Sequence, residues 1–284
     1  MARRWGLYFV TIFFLCSCGL FNKNSFHSIK FDSSVPDEQK DLLISDMQFI
    51  ESLQLSNVTQ EDLNKINLRE VSPDSLTRFL LDRVKYIVGQ DFDADSQKSV
   101  LANNYYYSPS VVSSVDSMFD RVVTVMTNTG SAVYLDGKKN NTLYSLKVAD
   151  ETMVVSTTRV GIIKIGEGLF SSSRTSGFSQ DSIAKRLIRL GTLFHESRHS
   201  DGNGSNAGFP HSKCSSGDFA GYYACESNTN GPYNLESMLL KHFYRSCYNC
   251  SESELSAIQI SASDAASRLQ YGATVKDPTP EYIR

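Results

Sequence analysis

The chain has 284 residues, 21% of them charged, and a formal net charge of -3. With 40% hydrophobic residues, that length is ample for a substantial core in one large domain or two small ones. Nearly balanced charge without a basic patch excludes nucleic acid as a partner.

Met1-Ala2-Arg3-Arg4 is a positive start, and Trp5 to Leu15 is an apolar run too short to span a bilayer comfortably. Leu15-Cys16-Ser17-Cys18 follows. The pattern resembles a bacterial lipobox, in which the cysteine after a small residue is lipidated and becomes the first mature residue. That resemblance implies a signal peptide over 1–17, a lipid on Cys18, and attachment to the membrane through this lipid. An ordinary secretory signal and an uncleaved anchor are the rival readings. Gly19 is not the aspartate that often retains lipoproteins at the inner membrane, which points to the outer membrane of a Gram-negative cell.

Phe21 to Val35 reads as a polar tether, so the expected division is leader 1–17, tether 18–35 and folded domain 36–284. Pro36 opens a helix to about Leu53, with Leu43, Met47 and Ile50 on one face. Ser72-Pro73 is an N-cap and N1 pair for a second helix, with a stripe of Leu76, Phe79, Leu80, Val84 and Ile87. The helical part is expected over about 36–100. Asn103 to Tyr107 is rich in tyrosine and reads as a strand or loop packed by its rings. From Arg121 the pattern turns to strands, at Val122 to Met126, Ala132 to Leu135, Leu143 to Val148 and Met153 to Ser156, with a turn at Asp136-Gly137. Arg159 to Gly166 is a further strand, closing a sheet expected over about 120–166.

A helical period runs from Asp181 to His199 through Ile183, Ala184, Leu187, Ile188, Gly191 and Phe194. Lys185, Arg186 and Arg189 fall mainly on its other side, and Ser179 or Asp181 suits the N-cap. The helix ends in His195-Glu196-Ser197-Arg198-His199, which reads HExxH, and Gly202 supplies a stop. Two histidines four apart share one helix face, so both imidazoles reach one ion, and the glutamate between them is placed to hold and deprotonate a water. The rival is a helix end with two surface histidines and an incidental glutamate.

Strand, loop and a helix ending in HExxH resemble the core of the zincin metallopeptidases, over roughly residues 155–240. The resemblance implies an α+β, zincin-like fold with a mixed twisted sheet and an edge strand over the active-site helix. It implies a bound Zn2+ ion, zinc-dependent hydrolysis of a peptide or protein substrate, His195 and His199 as ligands, and Glu196 as general base. A metzincin would place its third ligand at Ser205, which replaces histidine poorly. His211 is preferred, because a glycine-rich loop from Gly202 to Gly208 can return the chain to the helix. Glu236, on a helical segment from Tyr233 to Tyr244, is the next choice, followed by Asp218 and Glu226. Asp201 reads better as a partner fixing the tautomer of a ligand histidine. Arg198 pairs with Asp201 or Glu226, or else is solvated; His242 reads as a helix-face residue. The group that stabilises the oxyanion is open among Tyr222, Tyr223 and Tyr233.

Beyond the leader the cysteines are Cys214, Cys225, Cys247 and Cys250, an even number that suits two disulfides in an oxidising compartment. The natural pairing is Cys214 with Cys225 and Cys247 with Cys250. The other two connectivities, and a zinc held by four thiolates, stay open. A last helix is expected from Ser253 to Leu269, completing an active-site and disulfide-rich part over about 179–284. The alternative function is a non-catalytic envelope lipoprotein for adhesion or assembly on the same scaffold.

Overall fold

A computed structural model describes residues 25–55, 58–66, 68–93, 96–103, 122–124, 130–135, 142–156, 161–171, 175–199, 209 and 211–275. Cys18, Asp201, the Asp136-Gly137 turn and the tyrosines at 105–107 lie outside them.

The expected tether gives way to packed structure at Ser25. A 3-10 turn, Ser25–Ser28, leads into strand β1, Lys30–Phe31. Phe26, Ile29 and Val35 are buried in the main core. The segment's polar residues hid an apolar spacing that is enough to dock it. Helix α1 spans Asp37–Phe49 and buries Leu43 and Met47, with Ile50 buried in the 3-10 turn that follows. A short helix that the sequence pattern did not announce, α2, spans Gln60–Ile66. Helix α3, Pro73–Arg83, has the expected cap: the Ser72 hydroxyl accepts the Ser75 amide at 3.2 Å, and the Ser75 hydroxyl accepts the Ser72 amide at 2.8 Å. It stops at Arg83, however. Ile87 belongs to β2, Tyr86–Val88, and falls in the helical stripe only because a buried strand residue happened to continue that spacing.

Six further strands and helix α4 follow: β3 (Lys98–Asn103), β4 (Val122–Thr124), β5 (Gly130–Leu135), β6 (Thr142–Val148), β7 (Glu151–Ser156), β8 (Ile162–Ile165) and then α4 (Ile183–His199). The disulfide-rich part adds β9 (Ser212–Lys213), β10 (Tyr223–Asn228), α5 (Pro232–Ser246), α6 (Glu252–Ser267) and β11 (Leu269–Thr274). The fold is therefore α+β. The predicted strands do not join one sheet. A five-stranded sheet runs β1-β2-β8-β5-β4, parallel from β1 to β8 and antiparallel beyond. An antiparallel sheet β3-β6-β7 and a third, β11-β10-β9, stand apart from it. The strand before α4, β8, has β2 on one side and β5 on the other, so it is not a free edge.

Helix α4 is the centre of the helical layer and packs against α1, α3, α5 and α6. Ser182, not Ser179 or Asp181, supplies its capping hydroxyl, which accepts the Lys185 amide at 3.3 Å. Ala184, Leu187, Leu190, Leu193 and Phe194 are buried as the pattern predicts, but so are Lys185 and Arg189 on the expected polar side. Arg189 makes a two-pronged ion pair with Asp46 of α1, Nε–Oδ2 at 2.5 Å and Nη2–Oδ1 at 2.9 Å, and also bonds to Gln180. Gly191 allows α5 to come close, since a Cβ there would lie 3.1 Å from Leu240 Cδ2.

Asp46→Ala leaves the Arg189 charge buried without its counter-ion, so it should cost about 3 kcal/mol or more. A urea midpoint that moves by an amount equivalent to less than about 1 kcal/mol would refute the claim that this pair joins α1 to α4.

Candidate metal centre

The last turn of α4 carries the motif into the interior. His195 and His199 are 4% and 8% exposed, and Glu196 6%, so the pair of surface histidines allowed by the sequence is not what forms. The two imidazoles meet through their Nε2 atoms, 3.2 Å apart. Their Nδ1 atoms are taken. His199 Nδ1 donates to the Phe209 carbonyl at 2.6 Å, and His195 Nδ1 lies 3.0 Å from Glu236 Oε2. A carbonyl only accepts, so His199 is held with its proton on Nδ1 and its Nε2 lone pair aimed at His195.

His211 completes the group. It precedes β9, and its ring centroid stands 4.5 Å from that of His199 and 5.4 Å from that of His195. One potential ligand atom from each histidine falls within 4.8 Å of the others, an arrangement that can hold a metal ion. The buried His211 Nδ1 has no hydrogen-bond partner, a cost that a bound cation or water would relieve.

Glu236 therefore plays a different part from the one allowed it in the sequence: it orients His195 from α5 and does not join the cluster. Glu226 is also buried, and its carboxylate turns to the start of α5, accepting the Tyr233 and Asn234 amides at 3.3 and 3.2 Å. Asp218 stands exposed on the hairpin. Tyr233 was one of three candidate tyrosines, and it alone touches the histidines: its ring stacks on His211 at 4.8 Å and meets His195 edge-on at 4.4 Å. Tyr222 and Tyr223 are 70% and 71% exposed. Arg198 is fully buried and donates to the carbonyls of Asn230 and Ile66, so the solvated reading of this residue is replaced by a strut between α4, α2 and the approach to α5. His242 lies on α5 as expected, buried 3.7 Å from Asp62 and away from the cluster.

The electrostatics divide the histidines. Burial works against a charge on His195, but the Glu236 hydrogen bond and the charges of Glu196, Glu236 and Glu226 raise its pKa above the ordinary histidine value. Burial, together with His211 and His195, holds His199 well below that value. Burial, His195 and Arg268 push His211 down to about 3. These opposite shifts favour a proton on His195 over one on His199.

Both natural cysteine pairings form, Cys214 with Cys225 and Cys247 with Cys250, which removes a four-thiolate zinc site. The first closes the β9–β10 hairpin three residues after His211. Two disulfides point to an extracytoplasmic protein. Among the described residues, no helix is long and apolar enough to cross a membrane. No protein-family model matches the chain, and neither a curated protein nor a solved structure matches it.

The centre should bind close to one divalent ion per chain, with each of His195→Ala, His199→Ala and His211→Ala losing most of it. His199 and His211 are already neutral at pH 7, while His195 keeps its proton to higher pH. Metal uptake should therefore displace a proton from His195 and not from the other two histidines, and affinity should fall as pH drops through the raised His195 value. Isothermal titration in buffers of different ionisation enthalpy follows the release, and an affinity that does not fall as pH is lowered would contradict the assignment.

Proposed function

We infer that this chain is a zinc-dependent peptidase of zincin type, acting on peptide or protein substrates at the bacterial cell envelope. The observation that carries the reading is an HExxH helix end whose two Nε2 atoms stand 3.2 Å apart with His211 beside them. Ligand atoms on a four-coordinate zinc ion stand roughly 3.3 Å apart, a separation the His195–His199 pair matches while His211 lies within 4.8 Å of both. The donor chemistry fits too: neutral imidazoles suit zinc, and three protein ligands leave a position for water or substrate.

His195, His199 and His211 would hold the ion. Bound there, zinc supplies Lewis acidity, which polarises a carbonyl and lowers the pKa of water towards neutrality. Glu196 takes the proton of the attacking water and delivers it to the leaving amine. Glu236 and the Phe209 carbonyl keep the imidazoles turned the right way. Tyr233 is the donor to the developing oxyanion. Burial pushes its phenol pKa up, so the hydroxyl stays protonated and able to donate. Because β8 is flanked on both sides, extended substrate pairs elsewhere than on the strand preceding the helix.

The envelope setting rests on the disulfides and on the leader. In this reading Cys18 carries the lipid and residues 19–24 link it to the folded part. The outer membrane is favoured by Gly19.

Glu196→Gln should keep the metal yet lose about 10²–10⁴-fold in hydrolysis of a peptide library, because the amide accepts no proton. Equal digestion by variant and wild type would remove Glu196 as the base. Separately, Cys18→Ala should abolish lipidation, read by mass spectrometry of the mature amino terminus; an unmodified wild-type terminus would end the lipoprotein reading.

A further inference from the structure

We propose that Glu226 is the positioning residue of the metal centre: its carboxylate caps α5 from strand β10 and so sets Tyr233 and Glu236 against the histidines. The proposal rests on the metal-site reading and is independent of peptide hydrolysis.

The first residues of α5 have unused amides, as in every helix. Its N-cap is Gly231, which has no side chain to satisfy them. Glu226 does so from another element: Oε1 accepts the Tyr233 amide at 3.3 Å and Oε2 the Asn234 amide at 3.2 Å. The two positions interlock, because a methyl group on Gly231 would overlap the Glu226 carboxylate. The arrangement costs more than an ordinary cap. Glu226 is 2% exposed, and burial pushes its pKa up to about 7 in spite of the two amides and the nearby charges of His195 and Arg198. The usual serine N-cap satisfies such amides without burying a charge, but here the helix start is itself buried and a Cβ at Gly231 would meet the Glu226 carboxylate.

What this arrangement achieves is registration of three parts. Tyr233, whose own amide Glu226 holds, carries the ring that packs on His195 and His211. One turn on, Glu236 reaches His195 Nδ1. On the other side, the neighbouring Cys225 is joined to Cys214, three residues beyond His211. The Glu226 amide also donates to the Arg268 carbonyl at 2.8 Å, fixing β10 on the segment that follows α6. A shift of the carboxylate thus moves the helix that orients one ligand, within a strand tied to another.

The test uses Co2+ loaded into the full chain, because its visible absorption reports ligand geometry. Glu226→Gln keeps the shape but puts an amide donor where an acceptor is needed. Gly231→Ala leaves Glu226 intact and pushes its carboxylate aside. Both should still bind one Co2+, with affinity about tenfold weaker and a visible band shifted in the same direction. Glu236→Gln should shift the band likewise, since it acts at the end of the same route. If both Glu226→Gln and Gly231→Ala lower the melting temperature but keep the wild-type band and affinity, Glu226 is only a structural cap and the proposal fails. A shift in Glu226→Gln with none in Gly231→Ala also overturns it, because the interlock would then not matter. Should Glu226→Gln fail to fold, Gly231→Ala and Glu236→Gln decide the matter by the same band. A wild-type chain that takes up no Co2+ would instead overturn the metal-site reading itself.

Discussion

Two imidazole nitrogens facing each other at 3.2 Å in a buried setting impose the constraint around which the centre is built. With Nδ1 of His199 committed to a carbonyl and Nδ1 of His195 to a carboxylate, both Nε2 atoms turn inward. Lone pairs so placed repel unless a proton or a cation lies between them. Burial opposes a charge on His195, yet the Glu236 hydrogen bond and the surrounding glutamates raise its pKa, while burial depresses that of His199, so a proton between them is favoured on His195. A metal ion, which the three histidines could hold, would resolve the repulsion more fully and would also engage His211.

Holding that pair in place requires α4 to be buried along its length, and burial brings charged residues inside with it. Each has a specific outlet. Arg189 is neutralised by Asp46, which ties α4 to α1. Arg198, between the two histidines in sequence, gives its guanidinium to the Asn230 and Ile66 carbonyls. Asn230 immediately precedes Gly231 and α5, so the residue inside the motif also steadies the helix that bears Tyr233 and Glu236. At Gly191 the missing side chain lets the same helix approach α4. The polar interior is tolerated because these links are mutual: each charge taken out of water also fixes an element that positions the histidine cluster.

The hairpin solves a different difficulty. His211 stands directly before β9, a strand of only two residues. A disulfide across the hairpin and the pairing of β10 with β11 give that segment a rigid base in an oxidising compartment.

The chain's local chemistry was readable directly. Ser72-Pro73 announced a cap, the 3.6-residue period announced α4 and α5, and cysteine spacing announced both disulfides. HExxH pointed to the pair His195 and His199, because two ligands on one helix face are a local matter, and it offered His211 among several candidates for a third. The distinction between Glu236 and His211 was not local. Both are plausible donors in sequence, and only the approach of α5 across α4 turned Glu236 to His195 Nδ1 and left His211 at the centre. Likewise Arg189 and Lys185 read as a solvated face, since periodicity counts apolar residues and cannot see a counter-ion on a distant helix. The docking of Phe26 and Ile29, the division of the strands among three sheets and the internal place of β8 are pairings between segments far apart in the chain. They depend on which edges and faces remain available after the rest has packed, and that competition is settled by the tertiary structure alone.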